Sequence, residues 1–482
     1  MARILVIGAT GYIGGRLVPR LLDRGHTVHI LVRDPRKAVG RDWGAEVHVV
    51  EGDVLEAESI QRAFENIDSV FYLVHSMGSG EKFAGLDRQA ATNCVEAARA
   101  AGVKRIIYLG GLGSKKAVQS SHLQSRHEVG DILRAGDLPV TEFRAAVIVG
   151  SGSVSFELIH HLVNRLPVMI CPRWVYTRTQ PIAVRDVLRY LVDCLDLPAT
   201  AGQVIDIGGP DVMTYRDMML EVASVLGLKR LLVPVPVLTP RLSSYWVNLV
   251  TPIPTQLARP LIDGLRQETV CENSMARELF EFSPMRFHDA VERALAKVTS
   301  HEVETAWIDS GGSMAGPQVD PSHLHVDRRQ AEIEAPPEIA FSIISSLGGQ
   351  TGWLYADWLW KVRGFIDKQL GGVGLRRGRR HPSWLAVGDA LDFWRVEDYV
   401  SHRKLVLRAE MKVWGQAWLE FLVESRATGG CRITQTARYY PKGLFGLFYW
   451  YSVYPIHALV FRGMLASIGK AANESFAGGK KE

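Results

Sequence analysis

In the first half of the chain, short apolar runs alternate with longer stretches of helical periodicity. Arg3–Ile7, Thr27–Val32, Glu46–Val50, Ser69–Val74, Arg105–Leu109 and Thr141–Val149 have the length and apolar content of strands. Gly14–Arg24 and Gln89–Ala101 carry the patterning of amphipathic helices. Strands alternating with helices predict a parallel sheet covered on both faces, a doubly wound α/β fold. Helical spacing continues in Val184–Leu195 and Tyr215–Leu226. The proline-rich stretch Leu231–Pro260 reads as an irregular lid or substrate-side segment.

The pattern breaks near Ser310, where Asp309-Ser-Gly-Gly-Ser-Met-Ala-Gly-Pro317 has the composition of a linker. Beyond it, Ile339, Ile343 and Leu347 fall on one helical face within Pro337–Leu347. Leu405, Leu407, Ala409 and Met411 then share one face of a strand, with Lys404, Arg408 and Lys412 on the other. Trp418–Glu424 and Cys431–Tyr439 add two strands. A helix, an antiparallel meander and a long final helix predict a second domain of α+β type. The expected division is residues 1–305, a linker at 306–328, and residues 329–474.

Composition narrows the picture. A chain of 482 residues suits two or three domains, and 47% hydrophobic residues exclude general disorder. The net charge of +5, from 56 basic and 51 acidic residues, is too slight an excess to point to nucleic acid. The 5 cysteines form no CxxC pair, and the histidines of Ser322-His323-Leu-His325 have no further ligands nearby, so no metal site is expected. Met1–Ile7 runs into a strand rather than a secretory signal, which makes the cytoplasm the expected compartment. Most of the 12 tryptophans lie in the last third of the chain. They suit either a core or a pocket for a flat apolar ligand. Leu444–Phe461 is almost wholly apolar, interrupted by Pro455 and His457. It reads as a packed C-terminal helix, with docking on a membrane surface as the alternative. The basic run from Gly374 to Arg380 reads as a solvated loop or as a contact for anionic lipid or phosphate.

The strongest chemical signal is Gly8-Ala-Thr10-Gly11-Tyr12-Ile13-Gly14-Gly15, which follows a strand and opens a helix. Glycines at these spacings permit a tight turn, backbone approach to a pyrophosphate and close helix–strand packing, and the helix N-terminus presents N–H groups to the phosphates. The fold class is therefore a Rossmann-type doubly wound parallel sheet. The residue that reads the adenine ribose should end the second strand, and here it is Arg33, followed by Asp34. Arginine offers a planar fork to a 2′-phosphate, which favours NADP, with NAD as the alternative. Asp53 and Val54 follow the third strand, where Asp53 could meet the adenine amino group. Leu73, Val74 and His75 end the fourth, along the expected cofactor path.

On these residues the first 300 or so positions resemble the atypical short-chain dehydrogenases/reductases, the branch that includes NmrA-like regulators and the accessory nucleotide-binding subunit of respiratory complex I. The glycine motif, Gly52-Asp53-Val54, Ala91-Thr-Asn93 and Phe143-Arg144-Ala145 carry the match. The whole chain is similar to bacterial two-domain proteins whose C-terminal domain, of unknown function, resembles the helix-grip fold of START and polyketide-cyclase proteins. That resemblance implies an enclosed apolar ligand. The family's Tyr-x-x-x-Lys pair is replaced: His122 falls at the tyrosine and Arg126 at the lysine. Its serine is missing, because Leu109-Gly-Gly-Leu112 stands in its place and Ser114 is displaced.

Arg126 could hold a ribose or phosphate but cannot act as a base, since it stays protonated. His122 and His75 are candidates for proton transfer, and the plainer reading makes His122 and His127 surface residues at a helix start. The sequence thus supports an NADP(H)-binding oxidoreductase acting on an apolar carbonyl or quinone-like compound. Two alternatives stand beside it: a non-catalytic redox sensor or structural partner, and a peripheral lipid- or quinone-binding protein.

Overall fold

A computed structural model of the chain describes residues 1–39, 41–74, 83–113, 120–235, 262–299, 304–305, 324–369, 372–374, 379, 381, 384–426, 429–441 and 443–478. The chain divides into two compact units, Met1–Gly311 and Gly312–Glu482.

The first unit is built on β1 (Arg3–Ile7), β2 (Thr27–Val32), β3 (His48–Glu51), β4 (Ser69–Tyr72), β5 (Arg105–Gly111) and β6 (Val140–Ala145). With Val204–Ile207 they form a seven-stranded sheet in the order Val204–Ile207, β6, β5, β4, β1, β2, β3, and every pairing is parallel. Alternate residues serve opposite faces, as the pleat requires. Ile4 and Val6 join one apolar cluster with Phe71, Ile107 and Phe143, while Leu5 and Ile7 join another with Val70, Ile106 and Tyr108. Both clusters are buried, so the sheet is doubly wound.

Three sequence-derived boundaries change. The run Thr141–Val149 is two strands, because the chain leaves the large sheet after Ala145 and Ile148–Val149 pairs with Ile182–Ala183 instead. The third strand starts at His48, since Gly44 and Glu46 are spent in turns closed onto Arg41 and Trp43. The start of the proline-rich stretch is ordered rather than irregular: Leu231–Val235 pairs in parallel with Val168–Pro172. The rest, residues 236–260, lies outside the described residues.

The second unit holds a six-stranded antiparallel sheet in the order His325–Ile333, Cys431–Pro441, Gly415–Ser425, Lys404–Ala409, Trp394–Val400, Ala390–Leu391. The first strand begins inside the segment expected to be linker. Helix Pro337–Ser345 and the C-terminal helix Gly443–Gly478 pack on this sheet in a helix-grip layout. The C-terminal helix has 36 residues and runs through Pro455 without a break. Proline there removes its own N–H and crowds the carbonyl one turn back, but Pro455 sits on the exposed side, where that carbonyl can tilt outward to water. A helix that the patterning did not reveal, Asp357–Gln369, completes the unit. Leu405 and Leu407 face the core as expected, with Ala409 and Met411 partly buried beside them.

The tryptophans divide. Trp353, Trp360, Trp394 and Trp450 are buried, and Trp353 packs on Trp360 at 5.3 Å between ring centroids. Trp358, Trp384 and Trp414 face outward. The basic run divides as well. Arg379 turns inward, donating to the carbonyls of Leu347 at 2.8 Å and Trp384 at 3.3 Å. Burial lowers its pKa to about 10. Arg376, Arg377 and Arg380 lie outside the described residues.

Candidate functional site

The sheet order reverses at β1: β2 and β3 lie on one side of it, and β4, β5 and β6 on the other. In open parallel sheets such a switch point leaves a crevice at the carboxyl ends of the strands. The glycine turn sits there. Gly8 has φ +94°, which L side chains rarely adopt, and a Cβ on it would lie 2.9 Å from the Leu73 carbonyl oxygen at the end of β4. A Cβ on Gly14 would lie 2.2 Å from the Gly8 carbonyl oxygen. The turn is closed by Gly11 N–H to Gly8 O at 3.0 Å and Gly15 N–H to Gly11 O at 3.0 Å. Helix α1 (Gly14–Asp23) begins at Ile13 with no side-chain cap and no acidic residue in its first turn. The N–H groups of Gly15, Arg16 and Leu17 are taken by the carbonyls of Gly11 and Ile13, and the Gly14 N–H with the helix-end partial positive charge suits a phosphate.

Tyr12 contributes main chain only. Its ring lies over the Arg16 guanidinium at 4.8 Å, its hydroxyl is buried without a partner, and burial raises its pKa well above the ordinary phenol value. The Thr10 carbonyl accepts from Arg41 at 3.4 Å. Beneath the turn, the buried Arg16 donates to Ser151 O at 2.8 Å, Thr305 Oγ1 at 2.8 Å and Thr305 O at 3.0 Å. Thr305 Oγ1 in turn donates to Tyr12 O at 2.8 Å. Nothing in the sequence marked Arg16 or Thr305.

Arg33 leaves the end of β2 exposed, and no hydrogen bond or ion pair engages it among the described residues. Asp34, the doubtful neighbour, is turned away. It accepts from Arg36 N at 3.0 Å, Nε at 3.0 Å and Nη2 at 2.9 Å. Burial raises its pKa, but these bonds outweigh that and leave it below the ordinary carboxylate value. Asp53 follows β3 and accepts the Leu55 N–H on Oδ1 at 3.0 Å. The next residue, Val54, accepts on its carbonyl from Asn93 Nδ2 at 2.8 Å, so Asn93 braces this turn. Leu73 and Val74 follow β4. His75 lies outside the described residues, as does Ser114.

Helix Ser121–Arg134 carries His122 and Arg126 one turn apart, on one face. Its N-cap is Ser120, whose Oγ accepts from Leu123 N at 3.3 Å. His122 is half-buried. The Arg126 side chain packs at the end of β5: a Cβ on Gly111 would lie 3.1 Å from Arg126 Cδ. Arg126 Nε is buried without a partner among the described residues, and could meet an anion or a ribose. His127 is not a surface residue. It is buried, with Nε2 3.1 Å from Gly111 O, and so holds the helix to β5. Leu112, at the serine's place, is buried. The sequence reading also missed Glu142, fully buried on β6, whose carboxylate takes Arg144 Nε at 2.7 Å and the Arg134 guanidinium. Gly130 makes room for it, since a Cβ there would lie 2.6 Å from Glu142 Oε2.

The residues therefore fit a dinucleotide on two observations: a glycine cradle that any Cβ would fill, and an orphaned buried guanidinium nitrogen on Arg126. Among the described residues, no three His, Cys, Asp or Glu side chains gather as metal ligands.

Comparison with known proteins agrees. Residues 8–147 match a family described as NAD(P)H-binding, and residues 321–464 match one described as a protein of unknown function, DUF2867. The photosystem II assembly factor Ycf39 of Guillardia theta is 25% identical over 292 residues, 58% of this chain and 89% of that protein. The Ycf39 of Synechocystis is 26% identical over 212 residues, 43% of this chain and 62% of that protein. The ceramide reductase of Caulobacter vibrioides is 29% identical over 240 residues, 48% of this chain and 73% of that protein. Among solved structures, the triphenylmethane reductase of Citrobacter sp. superposes with a TM-score of 0.50 at 20% identity, over 61% of this chain and 99% of its own. At that identity it speaks for the fold alone. The first unit is an NAD(P)-binding domain of the atypical short-chain dehydrogenase/reductase kind, and a separate domain that matches DUF2867 follows it.

Proposed function

We propose that the chain is an NADP(H)-dependent oxidoreductase that reduces an apolar carbonyl or quinone-like compound. The close approach of Gly8 to Leu73 at the switch point, with Arg33 exposed at the end of β2, is the observation that carries this reading. Nicotinamide, when bound, supplies hydride chemistry. The α1 N-terminus holds the pyrophosphate, and Arg33 pairs with the 2′-phosphate. Arg126 holds a ribose or phosphate oxygen, and a ring nitrogen of His122 delivers the proton that the substrate oxygen needs as its carbon takes hydride. The names of two relatives, the ceramide reductase and a (4-alkanoyl-5-oxo-2,5-dihydrofuran-3-yl)methyl phosphate reductase of Streptomyces griseus, support carbonyl-bearing substrates with alkyl chains.

The test is substrate-dependent NADPH oxidation across a panel of alkyl ketones, aldehydes and quinones. His122→Ala should lower kcat by about 10²–10⁴-fold, with NADPH affinity retained. Failure of the whole panel to consume NADPH would refute the reading. It would leave the second one, a dinucleotide-dependent regulator or assembly partner, which the buried Leu112 at the serine's place favours. That reading expects partner binding to differ between the NADP⁺ and NADPH forms.

A further inference from the structure

The C-terminal helix changes character along its length. In its second half the burial is one-sided: Met464, Leu465, Ile468 and Ala472 face the core, while Arg462, Ala466 and Lys470 face out. Its first half is apolar on both sides. Trp450 and Phe461 are buried, yet Phe445 and Phe448 are each 74% exposed, Tyr451 is 67% exposed and Leu459 is 58% exposed. Helix Asp357–Gln369 repeats this. Trp360 and Gly364 face the core, and the opposite side presents Trp358, Val362, Phe365 and Ile366 to solvent.

Side chains of the two helices meet between these faces. Arg363 of the shorter helix donates to the Tyr449 hydroxyl at 3.4 Å and to Lys412 O at 3.4 Å, and Trp414 stands 6.3 Å from the Tyr449 ring. Large aromatic side chains bury roughly 150–250 Å² each, so the exposed residues amount to on the order of 1,000 Å² of apolar surface. That exceeds the largest patch of a typical monomer, roughly 300–600 Å².

We propose that this face docks on an anionic lipid bilayer, lying in the interface rather than crossing it. No helix among the described residues is long and apolar enough to span. Charge selects lipid over a protein partner. From Gly443 to Lys470 the helix sequence contains no Asp or Glu. On the shorter helix Asp367 is buried, accepting from Gly374 N and Lys412 N, and the one outward carboxylate, Asp357, is held by the Trp353 N–H at 2.8 Å. The rim is cationic, with Lys361, Lys412 and Arg462 all exposed. Exposed Trp, Tyr and Phe without carboxylates, edged by Lys and Arg, suit the headgroup region of an anionic membrane. The proposal is independent of the nucleotide chemistry above.

The test is flotation of the full chain with vesicles of phosphatidylcholine alone and of phosphatidylcholine with phosphatidylglycerol. Binding should need the anionic lipid and weaken as salt rises. Phe445→Ser/Phe448→Ser/Tyr451→Ser should lower partitioning by at least about tenfold. The independent pair Trp358→Ser/Phe365→Ser, on the other helix, should act in the same direction and guards against misfolding of the first variant. Far-UV circular dichroism and dinucleotide affinity should stay unchanged in both. No association with either vesicle, or association that both folded variants retain, overturns the proposal. So does a homodimer in solution that either variant converts to monomer while vesicles bind nothing, because the face would then join two copies of the chain.

Discussion

Replacing Arg33 with alanine isolates the cofactor preference. Among the described residues, Asp34 is consumed by Arg36, and Arg33 has no partner to release. A charge-assisted hydrogen bond contributes about 1.5–3 kcal/mol. Arg33 is exposed, so solvent and salt screen the pairing, which leaves about 1–2 kcal/mol, or roughly 5–30-fold in affinity. Calorimetric titration of wild type should show NADP bound more tightly than NAD by about that factor. In Arg33→Ala the NADP affinity should fall toward the NAD value, and NAD should move by less than about twofold. The gap should narrow as ionic strength rises. Equal affinities in wild type, or an equal loss for both dinucleotides in the mutant, would refute the assignment.

Two further outcomes follow from single positions. Gly8→Ala places a Cβ at φ +94° and against Leu73 O, so it should lower the melting temperature, cost about 1–2 kcal/mol from backbone strain alone and abolish dinucleotide binding; unchanged binding by thermal shift would contradict the cradle. His457 is held neutral: burial first, then the Arg363 charge, lowers its pKa to about 4. Its folded pKa is therefore below the unfolded value near 6.5, and the stability it permits is complete above pH ~6.5 and declines as pH falls toward ~4, by up to about 3 kcal/mol. Thermal unfolding of wild type and His457→Leu between those pH values should diverge in slope, and parallel curves would show that the imidazole titrates normally.

Much of the first unit was legible in the sequence because β1, β2, β4 and β5 are compact apolar runs bounded by glycine or a charge, whereas the edge strand Val204–Ile207, only four residues long, was not read. The glycine turn was legible for the same reason, since its spacing encodes a backbone shape. The helix Asp357–Gln369 was not. A helix that is apolar on both sides has no periodicity to detect, and that is the property that sets it apart in the fold. The buried charges were equally silent. Arg16, Glu142 and His127 have side chains that patterning does not assign to a core, and only their partners in the folded chain, on other turns and strands, make them structural. The replaced Tyr-x-x-x-Lys pair lies between these cases. The resemblance set His122 and Arg126 at the two positions of that pair, and the structure adds that they lie one turn apart on one helix, with a buried guanidinium nitrogen on Arg126 that has no partner among the described residues.

The clamp of Thr305 on Arg16 and Tyr12 has a bearing on how the chain matures. These partners are separated by 289 and 293 positions. Contacts of such range form late, because loop closure must precede them. During synthesis the glycine turn emerges from the ribosome first, yet its underside stays unfinished until residue 305 has followed. A nascent chain that has made only the strands and glycines of its first 147 residues would carry Arg16 with none of the acceptors it has in the finished fold. Tight dinucleotide capture is thus expected only after release of the whole first unit, which makes nucleotide binding a late checkpoint on completion of that unit rather than an early seed for its folding.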